Sequence, residues 1–436
     1  MKRALRNARR RGVALLLAMG AVVVLMVMLT EFQDQTSAEL AAAVAARDTM
    51  QAEYIAKSGV NLTRLLIASE PTVRKAVTPI FMMLGKTAPQ LPVWEYSDRI
   101  LGAFNGGDDR ASFDSTFGVS SENGKNLGLK DGMFEVTSVD EDAKINVNLA
   151  AGNDLSHIRF ARQLMGMMAP LQFNTMFETR DDNGNSHDRL ATCQALVDWA
   201  DNDESAFNCD LSATAANSGA EDGYYQALPK RYVRKNAAYD SLEELRAVRG
   251  VSDTFWGTFV DPEPNDPKKR VMTVWGQGKV NVNTANAQTL LALVCGGAPD
   301  AEMCTVPLQA EAFLAGVTLA RGLSMGAPVF GNPKDFVTMM TGKGQLGPLL
   351  TTLGVKPVKF QSEGEFTKTI ATESKIFSIY AVGVKKGAKR ETRVRVHTVV
   401  DFRPYAPPVS YGSAAVSPVQ STADAAQGNL IYYRVE

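Results

Sequence analysis

The chain has 436 residues, enough for two to three ordinary domains. Its 46 Lys+Arg and 47 Asp+Glu leave a formal charge of −1, without the basic excess of a nucleic-acid binder, and 45% hydrophobic against 21% charged residues exclude wholesale disorder and a multi-span membrane protein. Four cysteines are too few for a disulfide scaffold, and three histidines leave little room for zinc or a histidine-based catalytic centre.

That charge is segregated along the chain. Residues 1–12 carry Lys2, Arg3, Arg6, Arg9, Arg10 and Arg11 and no acid. Without those six, 40 bases face 47 acids, a balance of −7. Next comes an unbroken apolar run of 17 residues, Val13 to Leu29, at the short end of what spans a bilayer. A basic flank before such a run keeps the N-terminus in the cytoplasm and puts the body across the membrane. A cleaved secretory signal or plain signal anchor is one reading. A cleaved signal has its small-residue site after the apolar run, yet here the run ends Val-Met-Leu-Thr-Glu-Phe. Gly12 precedes the run instead, which resembles type IV pilin-like proteins, whose leader peptidase cuts after that Gly on the cytoplasmic side.

Glu31 to Ile67 has no Pro and one Gly, and is rich in helix formers. Residues 13–68 therefore read as one transmembrane and stalk helix. Its lower half is amphipathic, with Leu40, Val44, Tyr54, Ile55, Leu62, Leu65 and Leu66 as a sparse apolar stripe. A simple tether has the same signature.

Beyond it, 69–150 reads as the first part of an α/β head, with turn signals at Gly106-Gly107 and Asn123-Gly124 and a strand over Met133–Val139. Ala143-Lys-Ile-Asn-Val-Asn-Leu-Ala150 recurs as Gly278-Lys-Val-Asn-Val-Asn-Thr-Ala285. Each copy reads as a short strand entering a helix, with its asparagines bonding backbone at the turn. Between the copies, 151–275 reads as an inserted helical domain, with helices over 157–169, 190–200 and 241–248, the last opened by a Ser241-Leu-Glu-Glu244 capping box. The second strand-helix unit occupies 276–355. A β-hairpin follows over 356–403, alternating along 375–385 and 391–401, and 404–436 reads as a flexible tail.

The densest chemistry is Asp198, Asp201, Asp203 and Glu204, followed after a loop by Glu221 and Asp222. Six carboxylates converging on one loop repel one another. Calcium resolves the conflict, because it takes six to eight oxygens and tolerates irregular loops. The EF-hand order is absent, and a solvated acidic loop is the plain alternative. Asp181-Asp-Asn-Gly-Asn-Ser-His-Asp188 is a second acidic turn. Cys193 and Cys209 bracket the first arm, and a bridge there would contribute about 3 kcal/mol by loop entropy. Cys295 and Cys304 form a second close pair. Two such pairs beyond a membrane span indicate an oxidising compartment.

Arg10-Arg-Gly-Val-Ala-Leu-Leu-Leu17, Leu196-Val-Asp-Trp-Ala-Asp-Asn-Asp203, Gly219-Ala-Glu-Asp-Gly-Tyr-Tyr225, Ser241–Gly250 and Lys279–Ala285, in this order, resemble the minor pseudopilin K family of type II secretion systems. The resemblance implies cleavage between Gly12 and Val13 by the prepilin peptidase, methylation of the new amine, and an α+β fold. That fold is a pilin-like long N-terminal helix plus antiparallel sheet, with a large inserted α-helical domain. The resemblance also implies calcium at the acidic cluster, a single-pass inner-membrane anchor with a periplasmic head, and no enzymatic activity. Its implied partners are minor pseudopilins I and J, the pseudopilus and the inner-membrane platform, with no nucleic acid. Most pilins carry Glu at the fifth mature position, where it pairs with the terminal amine of the next subunit above; here that residue is Leu17. A buried carboxylate needs a partner, so a subunit without one suits the filament tip. Rival readings are a membrane-tethered helix-hairpin-helix nucleic-acid binder, from Leu242–Gly250 and the Asn-Thr-Ala element, and a tethered hydrolase.

Overall fold

The structure, a computed structural model, describes residues 2–83, 85, 87–102, 132–178, 187–210, 222–323, 327–344, 346–387, 390–403 and 428–436. The turn signals at 106–107 and 123–124, residues 181–186, Glu221 and most of the Pro/Ser-rich tail lie outside them.

Helix α1 spans Lys2–Met83, beyond 13–68 at both ends, and passes through Pro71 and Pro79. A proline removes one helical hydrogen bond and normally breaks the run. Here tertiary contacts hold the turn. Arg74 donates to both carboxylate oxygens of Glu70 at 2.9 and 2.8 Å and also reaches Glu373, while Glu70 accepts the Leu91 N–H at 2.9 Å.

Strands β1 (Gly132–Asp140), β6 (Ile376–Lys386), β7 (Glu391–Asp401) and β8 (Asn429–Val435) form an antiparallel sheet in that spatial order. β8 corrects the reading of 404–436 as a uniformly flexible tail: Val396 pairs with Val435 and Asp401 with Asn429. The stretch Asn-Leu-Ile-Tyr-Tyr-Arg-Val is β-prone, and the free edge of β7 gives it a partner that only the folded chain supplies.

α1 lies across this sheet. Ile55, Ala56, Val60 and Ile67 pack against Phe134, Val136, Ile379, Ala381 and Val396. The stripe read from the sequence splits in two. Ile55 is buried and Leu62 half-buried against the sheet, whereas Leu40, Val44, Tyr54 and Leu65 face outward. The buried side relies on small residues. A Cβ on Gly383 would sit 1.9 Å from the carbonyl oxygen of Ala52, so only glycine allows β6 this close.

β1 and β6 are sheet neighbours, with Asp140 opposite Phe377. The described residues between them form an insertion of two units. The first has its core in Ile145, Phe160, Leu164, Leu196, Leu245, Phe259 and Met272. The second has its core in Val280, Leu290, Val294, Phe313, Phe336, Phe366 and Ile370. Each begins with a two-residue strand paired in parallel to one near its own end: β2 (Ile145–Asn146) with β3 (Met272–Thr273), and β4 (Val280–Asn281) with β5 (Ile370–Ala371). Two boundaries shift accordingly. The helical domain starts before 151, and 356–371 belongs to the second unit rather than the hairpin, because Val358, Phe360 and Phe366 complete its core.

The repeated asparagines bond backbone in matching ways. The Asn146 carboxamide oxygen accepts the Asn148 N–H at 2.9 Å, and that of Asn281 accepts the Asn283 N–H at 3.0 Å. Asn148 then ties Tyr239 and Val274, as Asn283 ties Val329 and Phe330. The helices they introduce, α2 (Asp154–Met168) and α4 (Ala287–Gly297), are capped by Asn153 and Asn286. Between them α3 (Arg189–Asp198) is capped by Asp188. The 241–248 segment forms a 3-10 turn, Leu242–Ala247, rather than an α-helix; Glu244 accepts the N–H groups of Asp240 and Ser241.

Candidate functional site

The acidic cluster grows from the C-terminal end of α3. A disulfide joins Cys193, inside α3, to Cys209, with the Cα atoms 6.2 Å apart, and so closes the loop that carries the acids. Asp198 and Asp201 turn inward, only 5% and 3% exposed. Asp198 accepts the Phe207 N–H at 2.8 Å, while Asp201 Oδ1 is buried with no hydrogen bond. Asp203 and Glu204 lie on the surface, where Asp203 accepts the Ser205 N–H at 2.7 Å. Asp222 pairs with Arg234 at 3.3 Å, and Arg234 also donates to the Asp203 carbonyl at 2.8 Å.

The six acids therefore do not form one ready cage. Among the described residues, no three His, Cys, Asp or Glu side chains stand together as a metal-holding group, and Glu221 lies outside those residues. The structure brings Asp198 and Asp201 together, leaves Asp203 and Glu204 at the rim, and sets Arg234 among them as a counter-charge. Sequence reasoning passed over Arg234; the only signal was the basic run Lys230-Arg-Tyr-Val-Arg-Lys235 close behind the acids.

Burial pushes the Asp198 carboxyl up to about 7, with the charge of Asp201 adding to it and the Phe207 N–H opposing. Burial and the neighbouring Asp203 push Asp201 up to about 6. Two buried carboxylates and an unbonded oxygen fit a hard cation, whose charge would favour their ionised forms.

A second group of buried acids sits where the insertion leaves and rejoins the sheet. Asp140 Oδ2 accepts the hydroxyls of Thr284 and Ser374, each at 2.6 Å, and its Oδ1 accepts the Asp142 N–H at 2.9 Å. Asp142 accepts the N–H groups of Gln277 at 2.7 Å, Lys375 at 2.7 Å and Ile376 at 3.1 Å. Glu141 accepts from Lys144 at 3.1 Å and Thr273 at 2.6 Å. Burial disfavours its charge, but the Lys144 ammonium and the Thr273 hydroxyl oppose that, and Glu141 is held below the usual range. Every partner here is structural, so this hub fastens both units to β1 and β6. Its sequence signal was Asp140-Glu-Asp142 between a strand and the first repeat copy.

The Cys295–Cys304 disulfide, with Cα atoms 5.6 Å apart, closes the C-terminal end of α4. At the other end of the molecule, α1 is the one helix among the described residues long and apolar enough to cross a membrane.

Residues 143–257, which hold most of the first unit, its disulfide and the acidic loop, match the family described as type II secretion system (T2SS), protein K. The chain carries a protein K domain. Over 108 residues, 25% of this chain, it is 30% identical to the type II secretion system protein K of Aeromonas hydrophila and covers 28% of that relative. The crystal structure of the GspK-GspI-GspJ complex from enterotoxigenic Escherichia coli overlaps 71% of this chain and 81% of its own matched chain, with 14% identity and a TM-score of 0.38. Within the protein K domain lie α2, α3 and the inward-facing Asp198 and Asp201.

Proposed function

We propose that this chain is a minor pseudopilin, seated at the tip of the type II secretion pseudopilus with minor pseudopilins I and J. The observation that carries this reading is the division of labour along α1 in a chain with a protein K domain. Val13–Leu29 is a membrane-length apolar run. Below it, one face of the same helix docks on the head sheet, while Leu40, Val44, Tyr54 and Leu65 remain exposed for neighbouring helices. Such helices bundle by apolar packing. Leu17 supplies no carboxylate to a subunit above, and the two-unit insertion adds bulk beside the pilin-like sheet. Both features favour an end position that initiates or caps the filament. The leader is removed after Gly12, the head lies in the periplasm, and the role is assembly rather than catalysis.

Replacing Gly12 by a bulky residue is expected to leave the leader attached. Electrophoretic mobility of the full chain coexpressed with a prepilin peptidase measures this, and normal processing would sink the pilin-like start.

Calcium is the metal this reading places at Asp198 and Asp201, where it would offset the charge of two crowded carboxylates. Both carboxyls titrate above the unfolded value near 4. Their contribution to stability is therefore fully present below about pH 4 and lost as pH rises through 6 to 7. Without calcium, melting temperature is expected to fall between pH 5 and pH 8. Calcium should raise it by several degrees at pH 8 and little at pH 5. Asp198→Asn with Asp201→Asn should flatten both responses. A calcium response equal at the two pH values, or retained in the double variant, refutes the assignment.

A further inference from the structure

The two units are fastened to the sheet by unlike attachments, although each begins with a copy of the same repeat. In the first copy Lys144 is buried and donates to buried Glu141 at 3.1 Å, so an acid is matched there by a base. In the second copy the corresponding Lys279 is exposed, and the attachment runs through neutral groups. Asn281 donates to the Ser374 hydroxyl at 2.7 Å, and the hydroxyls of Ser374 and Thr284 each donate to Asp140 Oδ2 at 2.6 Å. Thr284 stands where the first copy has Leu149, so the second copy alone brings a hydroxyl to this carboxylate. Gln90 fixes Ser374 from the other side, accepting its N–H at 2.6 Å and donating to its carbonyl at 2.9 Å.

Asp140 thus accepts three hydrogen bonds, the third from the Asp142 N–H at 2.9 Å, and all come from neutral groups. The charge that acts on it most is a like charge, that of Asp142. The bases around the junction are committed to other acids. Lys144, whose ammonium also feels Asp140, is bonded to Glu141; Arg270 pairs with Asp261 at 3.1 Å and Lys375 with Glu373 at 3.3 Å. Arg403, which acts on Asp142, pairs with Asp401 at 2.6 Å, and Arg74 of α1 with Glu70 at 2.8 Å. His397 on β7 feels Glu141, but burial holds its imidazole down to about 4, so it carries no charge above pH 5.

We propose that Asp140 is a proton-operated latch: neutral, it holds the second unit firmly on the sheet, and charged, it loosens that unit while the first unit's ion-paired attachment stays unchanged. A proton taken from solvent settles on Oδ2, whose O–H then donates to Thr284 Oγ1. The Thr284 hydroxyl turns to become the acceptor, and Oδ2 goes on accepting from Ser374. The repulsion between Asp140 and Asp142 ends at the same step. Burial first and the Asp142 charge second push Asp140 up to about 7, and burial pushes Asp142 up to about 6. Both lie above the unfolded value near 4. Their stabilisation is therefore fully present below about pH 4 and lost as pH rises through 6 to 7. The latch lies in the head and does not depend on the filament reading.

The test is hydrogen exchange read by mass spectrometry, on the full chain in uncharged detergent micelles between pH 5.5 and pH 8.5. Rates are corrected for intrinsic exchange, and calcium is kept in excess so that Asp198 and Asp201 stay out of the readout. Protection over 277–285 and 370–378 should fall at least threefold from the lowest to the highest pH, while 145–149 and 271–275 keep theirs. Asp140→Asn should remove the difference. Thr284→Val deletes a donor that favours the charged form and should move the midpoint to higher pH. Equal protection of 277–285 across the range, a parallel loss over 145–149, or a pH response that survives Asp140→Asn overturns the proposal. Where Asp140→Asn does not fold, an unmoved midpoint in Thr284→Val overturns it alone.

Discussion

Replacing Asp142 by Ala is expected to destabilise the head by about 3 kcal/mol. The side chain is the shared acceptor for the N–H groups of Gln277, Lys375 and Ile376. Removing it orphans one buried donor, Ile376, and two part-buried ones, Gln277 and Lys375, at about 1–3 kcal/mol for a fully buried group. Part of that is returned, because Asp140, pushed up to about 7 first by burial and then by the charge of Asp142, loses a like-charged neighbour. Asp142→Asn keeps one carbonyl acceptor and should cost roughly half as much. The three donors lie where the second unit begins and where the chain re-enters β6, so the damage should localise there. Denaturant midpoints give the size, and limited proteolysis near Lys375 gives the place. If Asp142→Ala unfolds at the wild-type midpoint, the hub does not fasten the insertion.

Gly383→Val is expected to lift the lower half of α1 off the sheet. A Cβ at that position would overlap the Ala52 carbonyl oxygen at 1.9 Å and the Ala56 nitrogen at 2.6 Å. Both are helix backbone, which cannot swing aside as a side chain can. Relieving the overlap means separating the elements and exposing Ile55, Val60 and Ile67, at a cost of about 3–5 kcal/mol. Even Gly383→Ala should be severe, because the clash is already with Cβ. Gly59→Ala is the mild control, since its Cβ would meet only side chains, Val136 at 3.1 Å and Phe134 at 3.2 Å. Tryptic cleavage after Lys57 and Arg64 reports the detachment. Protection unchanged in Gly383→Val would show that α1 does not need this close approach.

Much of this architecture was legible from local pattern. The apolar run, the alternation along β6 and β7, and the duplicated Lys-hydrophobic-Asn-Val-Asn element each encode themselves through nearest neighbours in the chain. The asparagine turns were readable because the carboxamide bonds an N–H two residues on, a relation contained within the motif. The acidic loop was readable as a charge density but not as a geometry. Its two ends and Arg234 come together only when the chain closes, and folding then buries Asp198 and Asp201 while leaving Asp203 and Glu204 in water.

By itself the sequence determined a basic N-terminal stretch, a membrane-length helix, a β-hairpin and two copies of a strand-to-helix turn, because hydrophobic periodicity and side-chain-to-backbone bonding act within a few residues. Tertiary structure decided which face of α1 docks, whether the helix survives Pro71, where the insertion begins and ends, and that 429–435 becomes a strand. Those outcomes depend on partners tens to hundreds of residues away: Glu373 for the turn at Pro71, Gly383 for the docked face of α1, β7 for the last strand. Their free energy comes from burial and paired hydrogen bonds that form only once the chain has closed on itself.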